Sequence, residues 1–170
     1  MIVKTRYEYK DIEQKNSPTG RQYICPDGFS VPSVTTILSK TKPDRDKQGL
    51  EEWKTRVGND NADRIVLEAG NRGTLMHQKI EEYVLGNEKP AGSNLIHQQS
   101  SKMAKMIIDT YLEPNVSEVW GSEVRLYYPG LYAGTTDLVG LWKGKPAIMD
   151  FKQSNKPKKL SWIGDYELQT

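Results

Sequence analysis

Asp137, Asp150 and Lys152 stand in two neighbouring strand-like segments, Tyr132–Trp142 and Pro146–Ser154, and would set two carboxylates and an ammonium on one surface. If Lys143-Gly144 is a two-residue hairpin loop, Trp142 pairs with Lys145 and Asp137 falls opposite Asp150. A three-residue loop, Lys143-Gly144-Lys145, moves Asp137 to a diagonal position instead. Directly opposed residues on one face have Cβ atoms roughly 4.5–5.5 Å apart, and like charges there repel. A divalent cation between them relieves the repulsion, since hard metals take carboxylate oxygens and keep waters for chemistry. Lys152 follows Asp150 by two residues and shares its face. An Asp-x-Lys tripeptide alone arises by chance about 0.6 times in a chain of this length. Weight comes from its setting: the apolar run Ala147-Ile148-Met149 precedes it, and a second Asp lies inside an equally apolar partner strand, where Asp is a poor fit.

The elements that must position these groups can be read from periodicity and punctuation. Ile2 to Tyr9 alternate like a strand, and Asn16-Ser-Pro-Thr-Gly20 is a turn from which Arg21–Ile24 returns. Ser33 caps a helix over Val34–Leu38 that Pro43 closes. Helical spacing runs from about Asp44 to Val57, again from Asn61 to Ala69, and then from Asn71 to Leu85, with Gly58 and Gly70 as breaks. In the last of these Met76, Ile80, Tyr83 and Val84 form an inward stripe. His77 and Glu81 share a face at its edge, a metal-ligand arrangement or simply a polar margin of the core. Arg72-Gly73-Thr74 would open this helix, where free N–H groups and a guanidinium suit a phosphate, a plain N-terminal cap being the simpler account. Ser93 to Leu112 reads as a further helix ended by Pro114. Strands follow over Ser117–Tyr128, Tyr132–Trp142 and Ala147–Ser154. Helices followed by a meander predict an α+β domain.

At 170 residues, one domain with a single core is expected. The 24 Lys+Arg and 22 Asp+Glu leave a formal charge of +2, so partners must be read from charge distribution. Lys143, Lys145, Lys152, Lys156, Lys158 and Lys159 cluster near the carboxylates, with Asp150 the only acid among them. That run is either a solvated loop or, beside paired carboxylates, a surface that tracks phosphates. Cys25 is the lone cysteine, which excludes an intrachain disulfide and a four-cysteine iron–sulfur cluster and suggests a reducing, cytoplasmic setting, the host's if the chain is viral. No stretch approaches the roughly 18 apolar residues of a membrane span.

Read as an ordered set, these segments resemble the PD-(D/E)XK nuclease superfamily, in particular its RecB-like exonuclease branch. Val31-Pro-Ser-Val-Thr-Thr-Ile-Leu38 is similar to the opening motif of that branch, and Arg72-Gly-Thr-Leu-Met-His-Gln-Lys-Ile-Glu81 to its helix motif. Glu123 stands in the place of an acidic residue on the first core strand. Gly134-Thr-Thr-Asp137 and Asp150-Phe-Lys152 resemble the signature strands. The resemblance implies a restriction-endonuclease-like mixed sheet flanked by helices, spanning 1–170: N-terminal strands at 1–30, a helical insert at 31–114, and a catalytic sheet at 115–170 with its C-terminal part missing. It further implies that His77, Asp137, Asp150 and the Phe151 carbonyl hold Mg²⁺ or Mn²⁺, with Lys152 serving the attacking water and Glu81 and Glu123 in support. Arg72, Thr74, Ser154, Lys156 and Lys158 would grip DNA, with Trp53 or Tyr83 either stacking on bases or filling the core. A late helix of the branch carries a Gln followed four residues on by a Tyr, and here Gln169 is reached and the Tyr is absent. The implied activity is a metal-dependent exonuclease on single-stranded or unwound DNA, in phage recombination, replication or DNA degradation, with a partner chain or second copy completing the core. A non-catalytic DNA-binding or regulatory subunit and a structure-specific endonuclease are the alternatives.

Overall fold

A computed structural model describes residues 2–154, 158–159 and 163–168. The fold is α+β and divides into two compact units, Met1–Lys40 with Tyr111–Thr170, and Thr41–Thr110.

The first unit is built on a four-stranded sheet in the order β1-β5-β6-β7, comprising β1 (Ile2–Val3), β5 (Val116–Tyr128), β6 (Tyr132–Trp142) and β7 (Lys145–Met149). β1 is parallel to β5 and the other pairs are antiparallel. Trp142 pairs with Lys145 and Leu138 with Met149, so the loop is the two-residue one. Its residues Lys143 and Gly144 have φ of 48° and 77°, the signs of a type I′ turn, whose twist matches the flanking strands. At the other end of β6, Tyr128-Pro-Gly-Leu-Tyr132 reverses the chain. Leu131 N–H donates to the Tyr128 carbonyl at 3.1 Å, and Gly130 takes the positive φ (70°) that the third position of a type II turn requires.

The alternating N-terminal segment pairs over only two residues. β5 is bulged between Val116 and Glu118 and between Val119 and Gly121, which bends it and ends a straight parallel ladder. Side chains take over from there. Lys4 pairs with Glu118, the Tyr7 ring meets Trp120 edge-on at 5.8 Å, and the Arg6 guanidinium lies 4.3 Å above the indole.

A second, antiparallel sheet of β2 (Glu13–Ser17), β3 (Gly20–Ile24) and β4 (Ser30–Pro32) belongs to the same unit. Ile12, Tyr23, Cys25 and Val31 bury themselves with Ala133 of β6, and Tyr127 of β5 packs on them. Each large apolar side chain buried this way contributes roughly 1.5–3 kcal/mol. Polar contacts fix the register: Tyr23 OH lies 3.1 Å from Thr135 Oγ1, and the Arg125 guanidinium donates to the Ile12 carbonyl at 2.6 Å. Burial pushes the Cys25 thiol pKa up, with Asp27 adding to it, so this cysteine is a core residue and not a nucleophile. α1 (Val34–Thr41) follows β4, and Ser33 Oγ accepts from the Thr36 N–H at 3.0 Å as its cap.

The second unit holds α2 (Asp44–Val57), the 26-residue α3 (Asn59–Val84) and α4 (Leu95–Ile107). Gly58 separates α2 from α3 with φ 83°, but Gly70 lies inside α3, which runs unbroken where two helices were expected. A glycine with helical φ costs an exposed helix only about 1 kcal/mol, which the flanking turns absorb. Met76, Ile80 and Val84 are buried as the stripe requires, and Tyr83 is half-buried. α3 packs against α4, where the buried Ser100 donates to the carbonyls of Ile96 and, across the interface, Arg72. Asn94 caps α4 through its side chain. A π turn (Ile108–Leu112) and the single turn α5 (Glu113–Asn115) lead into β5, and α6 (Gly164–Glu167) lies near the C-terminus. Among the described residues no helix is long and apolar enough to cross a membrane.

Candidate active site

The register of β5 against β6 decides which acidic groups meet. Ser122 pairs with Leu138 and Val124 with Thr136, which sets Glu123 across from Asp137. Carboxylate oxygens of these two residues approach within 4.8 Å. Glu123 has φ 50°, a left-handed conformation that costs a non-glycine residue roughly 1–2 kcal/mol. Strain of this kind in a strand re-aims a side chain and persists where the surroundings over-determine it. Asp137 is 9% exposed whereas Glu123 is open to solvent.

β7 reaches Met149 and stops, although the sequence runs on as if extended to Ser154. The reason lies in Asp137: its Oδ2 accepts the Phe151 N–H, so a side chain replaces the ladder and turns the chain away. Phe151 thus meets Asp137 through its N–H, whereas the resemblance invokes its carbonyl. Asp150, at the end of the ladder, pairs through Oδ1 with Lys152 Nζ at 2.6 Å. Lys152 is about one-third exposed and lies 6.0 Å from the Tyr166 ring centre. β5 and β6 therefore present one carboxylate pair, Glu123 with Asp137, and the segment after β7 presents one ion pair, Asp150 with Lys152. The partner opposite Asp137 on β5 was given only a supporting role from sequence. The signal that finds it is the register, because 122 with 138 and 124 with 136 leave no other residue facing 137.

The donors suit a hard cation. Carboxylate oxygens are the preferred ligands of Mg²⁺ and Mn²⁺, and two of them this close need positive charge for balance.

The remaining candidates belong to other elements. His77 and Glu81 lie one turn apart on α3, both half-buried. Arg72 and Thr74 lie in the middle of α3, not at its N-terminus, so the free N–H groups expected there are spent inside the helix. Any contact they make with phosphate comes from side chains. Ser154 and Lys158 are exposed. Lys156 and Gln169 lie outside the described residues. Trp53 is half-buried on α2, like Tyr83 on α3.

No family profile matches the chain. Mitochondrial genome maintenance exonuclease 1 of Mus musculus is 29% identical to it over 136 residues, covering 77% of this chain and 39% of the relative. The Xenopus tropicalis protein of the same name is 28% identical over 157 residues, covering 87% and 42%. These similarities support the PD-(D/E)XK nuclease family that the sequence motifs suggest. The Homo sapiens protein is likewise 28% identical, over 75% of this chain and 38% of its own length. This chain thus spans about two fifths of the length of the exonucleases it matches.

Proposed function

We propose that this chain is a RecB-like, metal-dependent deoxyribonuclease that removes nucleotides from the ends of single-stranded or unwound DNA. The observation that carries the reading is the facing of Glu123 and Asp137 on adjacent strands, next to the Asp150–Lys152 ion pair. Glu123 and Asp137 are the proposed donors for Mg²⁺ or Mn²⁺, and His77 of the helix motif is proposed with them on the resemblance alone. Such an ion, when bound, stabilises charge on phosphoryl oxygens and makes water a stronger nucleophile at neutral pH.

The chain's own residues prepare the reaction in three ways. Asp137 holds the Phe151 N–H, which fixes where the segment after β7 begins and so where Asp150 and Lys152 stand. Asp150 restrains the Lys152 ammonium, which would orient the attacking water and meet the charge that builds on the phosphorus oxygens. Arg72, Thr74, Ser154 and Lys158 would bind neighbouring phosphates, joined by Lys156. Electrostatic positioning of this sort needs no covalent nucleophile. The outer edge of β7 is where a second chain or second copy would add, and the proposed setting is a reducing cytoplasm, in phage recombination, replication or DNA degradation.

The test is release of nucleotides from end-labelled linear DNA with and without Mg²⁺ or Mn²⁺. Asp150→Asn and Lys152→Ala should abolish release while leaving DNA binding largely intact, and persistent activity in either removes that residue from the mechanism. Cutting of circular single-stranded DNA would make the enzyme an endonuclease. Salt-dependent binding without any metal-stimulated cleavage would make it a DNA-binding subunit.

A further inference from the structure

Residues 2–12 run alongside β5, and their contacts advance in step with it. Ile2 and Val3 pair with Glu118 and Val119, and the Lys4 N–H donates to the Val119 carbonyl at 2.8 Å. Arg6 and Tyr7 pack on Trp120, the Tyr9 ring reaches Gly121, and the Ile12 carbonyl accepts the Arg125 guanidinium at 2.6 Å. The last two anchors on β5, Gly121 and Arg125, stand two residues before and two residues after Glu123, whose φ is 50°.

Between these anchors β5 is kinked. In a regular strand, residues three apart lie about 10 Å from each other and point to opposite faces. Here Val124 Cγ2 folds back over Gly121, at the place a Cβ would take. The left-handed turn at Glu123, which lies between the two, brings them together. The inside of the kink is full. A methyl group on Gly121 would overlap Val124 and come within 2.9 Å of the Tyr9 ring, well inside the roughly 3.5–4.0 Å at which carbon atoms pack. Val124 is buried, and the Tyr9 hydroxyl is buried with no hydrogen-bond partner among the described residues. A buried hydroxyl without a partner costs stability, so the contribution of Tyr9 is its ring, wedged into the space that glycine leaves. A left-handed conformation at a non-glycine residue lasts only where its surroundings over-determine it, and these contacts do so from both sides.

We propose that the N-terminal segment is a strap that holds β5 kinked and so fixes where the Glu123 carboxylate stands against Asp137. Tyr9 and Arg125 are its positioning residues, and they act through Glu123. Released from the strap, Glu123 returns towards the strand value of φ, about −140°. That change turns its Cα–Cβ bond and moves the carboxylate out of its place. The consequence for metal binding rests on the nuclease reading, whereas the hold on the kink does not.

The experiment has one arm without metal and one with it. In EDTA, melting is followed for the parent, Glu123→Gly, Tyr9→Ala and the double variant. Glycine at 123 relieves strain only while the strap imposes it. Glu123→Gly should therefore raise the Tm of the parent and leave that of Tyr9→Ala unchanged, a coupling that independent sites do not show. Tyr9→Phe should melt no lower than the parent and keep the full gain. In the second arm, Mn²⁺ affinity is read by electron paramagnetic resonance. Tyr9→Ala should bind Mn²⁺ about ten- to a hundredfold more weakly, and Tyr9→Phe like the parent. Should Tyr9→Ala not fold by circular dichroism, Arg125→Met frees the other, exposed anchor and is read in the same way. A Glu123→Gly change that gains nothing in the parent, or as much in Tyr9→Ala as in the parent, overturns the strap. Coupling in EDTA with unchanged Mn²⁺ affinity overturns its part in the site. If coupling is found but the parent neither binds Mn²⁺ nor releases nucleotides, the nuclease reading fails and the hold on the kink stands. If the parent releases nucleotides with Mn²⁺ while the two changes are additive, the strap alone fails.

Discussion

Glu123→Gly separates stability from activity at one residue. Glu123 pays for its φ of 50° with roughly 1–2 kcal/mol that glycine does not incur. Glycine gives back about 0.5–1 kcal/mol through the greater freedom of the unfolded chain. Removing a carboxylate within 4.8 Å of Asp137 relieves about 1 kcal/mol of repulsion at the dielectric of water. The sum is a net stabilisation of roughly 1–2.5 kcal/mol without metal, or about 2–10 °C in Tm for a chain of this size. Metal should reverse the order. A cation held by the pair at a hundred times its Kd stabilises the folded parent by about 2.7 kcal/mol, and the variant lacks one of the two carboxylates. Scanning calorimetry in EDTA and in Mn²⁺ reads both effects, and nucleotide release reads the third. The expected pattern is a higher Tm than the parent in EDTA, a much smaller rise on adding Mn²⁺, and loss of nuclease activity. A variant that melts lower than the parent in EDTA refutes the strain and repulsion. One that keeps the parent's full Mn²⁺ stabilisation removes Glu123 from the donor set.

Two further outcomes follow from the fold. Lys143→Asn places in the type I′ turn a residue that tolerates positive φ, and although it gives up the contact with the Trp142 ring, 5.9 Å away, it should stabilise by about 0.5 kcal/mol. Equilibrium denaturation should show the gain, and a variant no more stable than the parent refutes the turn argument. In the second unit, Glu82 is held below the ordinary carboxylate range, chiefly by its hydrogen bond from Lys79 and also by one from Gln78, against the opposing effect of burial. Because the folded pKa is lowered, this contribution is present above the unfolded value near 4.3–4.5 and is lost as pH falls through the folded one. Lys79→Met, which leaves that carboxylate buried without its 2.7 Å partner, should cost about 3 kcal/mol at pH 7. The deficit should shrink as pH drops below 4.5, and a deficit independent of pH between 3 and 7 would refute the linkage.

Much of the fold was legible because it follows from local patterns. The hairpin of β6 and β7, the cap at Ser33, the buried face of Met76, Ile80 and Val84, and the α+β order of elements all rest on residues within a few positions of each other. The long α3 was not legible at Gly70, because glycine is a weak breaker and neighbouring turns outvote it. Nor was the short β1, since alternation over Ile2–Tyr9 is also satisfied by side chains that lock onto a bulged edge.

The site divides the same way. Sequence alone determined the hairpin of β6 and β7 with its two-residue loop, which aligns Asp137 with the segment that carries Asp150 and Lys152, since strand periodicity and turn chemistry are properties of the chain itself. Only the tertiary structure decided that Asp137 faces Glu123 through the long pairing of β5 with β6, that a carboxylate hydrogen bond ends β7 before Asp150, and that the unequal strand lengths leave a cleft along the open edge of β6. These depend on register between distant segments, on a strained φ and on where a ladder stops, and no spacing within a single segment encodes any of the three.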